Sequence, residues 1–174
     1  YKFKIISFNQ FKNLKIKIDK PKELGKDRIA NSVAAIKKYG KNCLILDFGT
    51  ATTFDVINDS KYIGGVIAPG IMISHDSLVK NASKLKKISI YKTNKVVGKN
   101  TAKAMRSGFY WGYIGLINTI IDKIMKEKKF KPKIILTGGL AKIFMKKINF
   151  KITYDPYLTL DGLYLIGLNA YEKN

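Results

Sequence analysis

Residues 1–6 and 14–18 alternate apolar side chains with lysine, the period of a strand with one face in water. A continuous apolar run, Leu44-Ile45-Leu46, ends in Asp47-Phe48-Gly49-Thr50. Three apolar residues in succession predict a buried strand there. Residues 53–57 form a second, β-branched and aromatic run, and Asn58-Asp59-Ser60 supplies turn residues before a third strand over 61–67. Upstream, Ile29, Val33 and Ile36 recur at helical spacing with Ala30, Ala34 and Ala35 beside them. They predict a helix from Asp27 or Arg28 to a stop at Gly40. Helical patterns return over residues 71–82 and 158–171, and in a long stretch capped by Asn100 or Thr101 that runs to Lys128. Pro132 separates that helix from a strand over 133–136, which runs through Thr137-Gly138-Gly139 into another helix; residues 150–154 read as a last strand. Three antiparallel strands followed by helix and parallel-strand units suggest an α/β, ribonuclease-H-like half.

Several positions carry candidate chemistry. Asp47 falls at the C-terminal end of its strand, where sites on α/β sheets usually lie. Gly49 permits close approach of a ligand, and Thr50, Thr52 and Thr53 place hydroxyls beside it. Such a turn can hold a cation or a phosphate; equally, its Asp and Thr can do no more than satisfy turn amides. Asp27 falls at a helix N-terminus, where it serves either as a site residue or as a cap. Thr137-Gly138-Gly139 is either a phosphate-binding turn or an ordinary tight connection. Gly108, Gly112 and Gly115 share one face of the long helix, where each costs roughly 1 kcal/mol relative to alanine. A close neighbour on that face, from the sheet, another helix or a second subunit, would offset the cost. His75, the sole histidine, is an ordinary surface or groove residue on this reading.

Length and composition narrow the classes. The 174 residues suit one domain or one and a half, and 46% hydrophobic content can fill a core. No apolar run approaches the ~20 residues of a membrane helix, and no membrane partner is expected. The single Cys43 has no internal disulfide partner and reads as a small core residue; a reducing cytoplasmic location is expected. The formal charge of +21 suggests a polyanion partner at first sight. Only Arg28 and Arg106 are arginines, however, leaving 31 of the 33 basic residues as scattered lysines. Specific nucleic-acid recognition relies on arginine, so no specific nucleic acid is expected.

The motifs resemble type III pantothenate kinase, a family of the acetate and sugar kinase, Hsp70 and actin superfamily. Gly25-Lys26-Asp27-Arg28 matches its Gly-x-Asp-Arg segment. Asp47-Phe48-Gly49-Thr50-Ala51-Thr52-Thr53, Gly64-Gly65, Gly98-Lys99-Asn100-Thr101, Met105-Arg106-Ser107-Gly108, Thr137-Gly138-Gly139-Leu140-Ala141 and Leu158-Thr159-Leu160-Asp161-Gly162 follow in the family's order. The resemblance implies an α/β, ribonuclease-H-like (actin-like ATPase) fold. The chain would hold the second half of that fold plus the end of the first, with residues 1–40 trailing the substrate-side domain and 41–174 forming the second domain.

By the same resemblance, the activity is ATP-dependent phosphorylation of pantothenate, the first step of coenzyme A biosynthesis. Asp27 would be the base, and Gly25, Lys26 and Arg28 would line the pantothenate site. Thr101 would reach pantothenate across a homodimer interface. Thr50, Gly138 and Gly139 would contact ATP, which brings Mg2+. Asp47 would bind the monovalent cation, K+ or NH4+. Two departures stand out. The family's opening Asp-x-Gly-Asn-Thr phosphate hairpin has no counterpart before Gly25, and Ile18 stands where the family often has an aromatic. Two other readings are a non-catalytic regulatory or binding relative and a lysine-driven polyanion binder. Retention of Asp27, Asp47, Thr50 and Thr101 favours the kinase.

Overall fold

The computed structural model describes residues 14–171, and the strand expected over residues 1–6 lies outside them. Six strands make one mixed sheet: β1 (Lys15–Ile16), β2 (Cys43–Phe48), β3 (Ala51–Asn58), β4 (Lys61–Pro69), β5 (Lys133–Thr137) and β6 (Ile152–Tyr154). Their spatial order is β1-β4-β3-β2-β5-β6. The β2, β3 and β4 strands pair antiparallel; β5 joins β2 in parallel, β6 joins β5 in parallel, and β1 runs parallel to β4 at the far edge. A three-stranded antiparallel meander extended by parallel crossover strands is the α/β, ribonuclease-H-like fold that the sequence pattern suggested. The β3–β4 hairpin turns at Asp59 and Ser60, both at positive φ (49° and 58°), the two-residue geometry that follows strand twist.

Helices cover both faces: α1 (Lys26–Tyr39), α2 (Ile71–Asn81), α3 (Thr101–Lys128), α4 (Ala141–Phe144) and α5 (Leu158–Tyr171). Strand alternation divides the core in two. Leu44, Leu46 and Phe48 of β2 point to the α3 and α4 side, where they meet Ile117, Ile121 and Phe144. Cys43 and Ile45 point to the α1 and α5 side, where they meet Ile29, Ala34 and Ile166. Asp47 and Asp55 share the parity of this second face. The helix α1 is therefore buried on a broader arc than its three periodic aliphatics imply, taking in Ala30, Asn31, Ser32 and Ala34. Small residues are needed there because α5 lies against α1: a side-chain carbon at Gly162 would fall 2.0 Å from the carbonyl oxygen of Ala30.

One expectation needs correction and two are narrowed. His75 is buried, not on the surface. Its Nε2 accepts a hydrogen bond from the Ile88 amide at 3.1 Å, and its ring packs edge-on against Phe109, so it ties the irregular segment after α2 to the helical layer. The glycine stripe of α3 has no close neighbour among the described residues: a carbon added at Gly108, Gly112 or Gly115 meets nothing within 4 Å. The sheet and the other helices are thus not what it faces. The helix expected after Gly138-Gly139 is a single turn, α4, capped by no side chain, and continues as a 3-10 turn over Met145–Lys147. It is too short to provide a helix-terminal phosphate site. The long helix is capped by Asn100, whose side chain accepts from the Lys103 amide at 2.9 Å, with Thr101 as its first helical residue.

Candidate functional site

The parallel strands β2 and β5 end side by side, with Asp47 in register with Thr137. Their C-terminal edge is therefore where the two turns carrying Gly49-Thr50 and Gly138-Gly139 meet. Gly138 takes φ 90°, a conformation that favours glycine, and has no room for a side chain. A carbon there would lie 2.7 Å from both Asp47 Oδ1 and the Phe48 carbonyl oxygen. The Phe48 backbone nitrogen, at 2.6 Å, closes the same position, so the Gly138 turn packs directly on the end of β2 and sets its backbone beside the Asp47 carboxylate. Gly139 is exposed, with nothing within 4 Å of an added carbon among the described residues, and Thr50 is exposed on the adjoining turn. The Pro69-Gly70 turn seals the other side: a carbon at Gly70 would strike the Thr50 carbonyl oxygen at 2.0 Å. Tyr113 of α3 holds this corner by donating to the Pro69 carbonyl and sharing a hydrogen bond with Thr52.

The helix α1 brings its first turns over the same edge. Asp27 lies exposed in the first turn, and Asn31, one turn on, is fully buried. Asn31 Nδ2 donates to Asp47 Oδ2 at 2.9 Å, while its Oδ1 accepts from Thr159 of α5 at 2.7 Å. The chain Thr159–Asn31–Asp47 therefore joins both helices to the strand end. Burial pushes the Asp47 carboxyl up from its usual range; the Asn31 amide pulls it down in part, and the nearby Asp27 charge pushes it further up. A half-buried carboxylate beside a second carboxylate is electrostatically short of positive charge, which a bound cation would supply. Among the described residues no group of three His, Cys, Asp or Glu side chains is placed to hold a metal. A cation here would rest on Asp47 with backbone or ligand oxygens.

Beside this edge opens a cleft of about 540 Å³ lined by Ile18, Leu24, Arg28, Tyr62, Gly65 and Ile67, among others. Arg28 forms part of its floor. Arg28 Nε donates to Asp55 Oδ1 at 2.7 Å, and the Tyr62 hydroxyl donates to the same oxygen at 2.8 Å. Asp55 is completely buried and also accepts from Thr53. Burial pushes its carboxyl up, against the Arg28 charge and the hydrogen bonds from Tyr62, Arg28 and Thr53. Gly65 makes room for the guanidinium, since a carbon there would lie 2.5 Å from an Arg28 Nη.

The structure thus brings Asp27, Asp47, Thr50, Gly138 and Gly139 to one edge, with Gly25 and Lys26 next to Asp27 in the chain and Arg28 in the adjoining cleft. Thr101 stands apart, exposed at the start of α3, and among the described residues no hydrogen bond or ion pair joins it to Asp27 or Arg28. Sequence reasoning missed Asn31, Asp55, Tyr62 and Thr159. Asn31 had a signal, since it follows Asp27 at i+4 on one helix face.

A sequence profile described as type III pantothenate kinase matches residues 2–123. Among solved structures, a protein described as a conserved Baf family transcriptional activator from Campylobacter jejuni is similar at 23% identity and TM-score 0.66. The match covers 94% of this chain and 72% of that one. The Alp12 filament structure is similar at 13% identity and TM-score 0.57, over 82% of this chain and 53% of that one. At these identities the two likenesses speak to the fold alone. Among the described residues no helix is long and apolar enough to cross a membrane.

Proposed function

This chain belongs to the type III pantothenate kinase family, and from that premise we propose that it transfers the γ-phosphoryl of ATP to the primary hydroxyl of pantothenate. The observation that carries the proposal is the grouping of Asp27, Asp47 and the Gly138 turn at one strand edge, next to a cleft floored by Arg28. Phosphoryl transfer needs a base for the attacking hydroxyl, positive charge around the moving group and in-line placement. Asp27 is exposed and accessible as the base. Gly25, Lys26 and Arg28 would border pantothenate, with Arg28 suited to an anionic substrate. Thr50, Gly138 and Gly139 would border ATP, which arrives with Mg2+. Asp47 would hold K+ or NH4+, which supplies the positive charge that its raised carboxyl lacks.

Thr101 is not among the residues that line the cleft, which favours its acting on a second subunit of a homodimer. Residues 1–40 would trail a substrate-side domain and 41–174 would form the second domain, in a cytoplasmic enzyme. The test is formation of 4'-phosphopantothenate from ATP and pantothenate by the full-length protein, followed by mass spectrometry. Asp27→Asn should slow it by roughly 10²–10⁴ with the fold intact. Wild-type-like turnover by that variant removes Asp27 from the mechanism, and no product from the wild type overturns the reading. A non-catalytic regulatory relative is the second reading, favoured by the description of the Campylobacter protein as a transcriptional activator; that reading requires the wild type to make no product.

A further inference from the structure

The cleft's preference among ligands turns on a residue that does not line it. The side chain of Arg28 is only 14% exposed, and Asp55 behind it is wholly buried. A guanidinium that far from water is tolerated when a carboxylate pairs with it and is strongly disfavoured alone. Asp55, which is wholly buried and does not line the cleft, meets Arg28 through Nε at 2.7 Å. It is itself held by the Tyr62 hydroxyl and by Thr53. Among the described residues no acceptor takes a hydrogen bond from the Arg28 Nη nitrogens, and Gly65 leaves them space at the cleft wall. Asp19, Lys20 and Glu23 also line the cleft, but Lys20 and Glu23 form a largely exposed pair at 3.1 Å; Arg28 is the cation of the lining that a buried carboxylate holds in place.

We propose that Asp55 is a positioning residue that keeps Arg28 in the cleft floor with its Nη edge turned to the ligand, and so gives the cleft its preference for a carboxylate-bearing substrate. The inference deepens the pantothenate reading and rests on it. Two effects oppose each other when Asp55 is neutralised. Loss of its negative charge favours a ligand carboxylate at Arg28. Loss of the ion pair leaves a nearly buried guanidinium without a partner, and the flexible side chain then leaves for water. The second effect prevails because an unpaired charge at this depth is the costlier state.

The test is titration calorimetry on the full-length protein with pantothenate and with pantothenol, in which a neutral hydroxymethyl group replaces the carboxylate. The wild type is expected to prefer pantothenate by about tenfold or more, the scale of a charge-assisted hydrogen bond. Asp55→Asn should cut that preference below about threefold, chiefly by weakening pantothenate. In an Arg28→Met background Asp55→Asn should change the preference no further, because Asp55 acts only through Arg28; a purely structural role would still weaken both ligands there. If Asp55→Asn does not fold, Asp55→Glu takes its place: the displaced carboxylate should lower the preference about threefold. An unchanged or increased preference in the folded variant overturns the inference and leaves the pantothenate reading standing, as does equal wild-type affinity for the two ligands. A wild type that binds neither overturns both.

Discussion

Replacing Gly162 with alanine tests whether the contact between α1 and α5 holds the site together. The added carbon would sit 2.0 Å from the Ala30 carbonyl oxygen and 2.4 Å from its carbon, against an ordinary contact of 3.4 Å or more. Both are backbone atoms and cannot rotate away, so α5 must withdraw from α1 by about 1.4 Å. Overpacking of this kind costs about 1–3 kcal/mol, and alanine returns up to about 1 kcal/mol through helix propensity. The net loss should be about 1–2 kcal/mol, which lowers the melting temperature by about 2–8 °C for a chain of this size. Withdrawal also stretches the bond from Thr159 to Asn31, now 2.7 Å and one turn away on the same helix. Asn31 then loses one of the two partners that fix it on Asp47. Gly167, on the same helix with nothing within 4 Å, is the control: Gly167→Ala should be neutral or stabilising by up to about 1 kcal/mol. Urea denaturation of both variants gives the comparison. A Gly162→Ala midpoint at or above the wild type's, with unchanged slope, refutes the packing argument.

Phosphorylation of pantothenate should require K+ or NH4+, and Asp47→Ala should abolish both the requirement and the activity; equal rates in sodium and potassium buffers count against Asp47 as the cation ligand. The full-length protein should sediment as a dimer at micromolar concentration in moderate salt. Gly112→Ala, whose added methyl meets nothing within 4 Å among the described residues, should weaken that dimer; a wild-type monomer sinks the shared-site role of Thr101. The acid stability of the fold should depend on Asp155. Burial pushes its carboxyl up, but the Lys38 ammonium, the Tyr39 hydroxyl and the Tyr157 amide outweigh that and hold it below the ordinary range. A carboxyl lowered in the folded state stabilises above its unfolded value, roughly 3.9, and that contribution is lost as pH falls through the folded value. Asp155→Asn should therefore be less stable than the wild type at pH 7, and the gap should shrink as pH falls below the unfolded value and on through the lowered folded one; a gap that does not shrink over that range removes Asp155 from the acid response.

Local pattern alone determined much of this protein. The run 44–46 ending in Asp47, the hairpin at 58–60, a cap at Asn100 or Thr101 and the helix over Leu158–Tyr171 each follow from periodicity and turn chemistry within a few residues. The placement of Asp47 at a strand end and of Asp27 at a helix start was legible for the same reason. What the tertiary structure decided is which faces meet. Asp55 sits at an alternate position of a β-branched strand, and nothing local says whether that position faces water or a helix. It is buried because α1 covers that face and supplies Arg28 from 27 residues away. The glycines make the same point. Gly162 and Gly112 are both helical glycines, yet one closes a backbone contact and the other meets nothing among the described residues. His75 likewise looked like a surface residue because its partner is an amide 13 residues on, in a segment without regular structure. Periodicity tells a side chain's direction within its own element; only the packing of elements distant in sequence sets what it meets there.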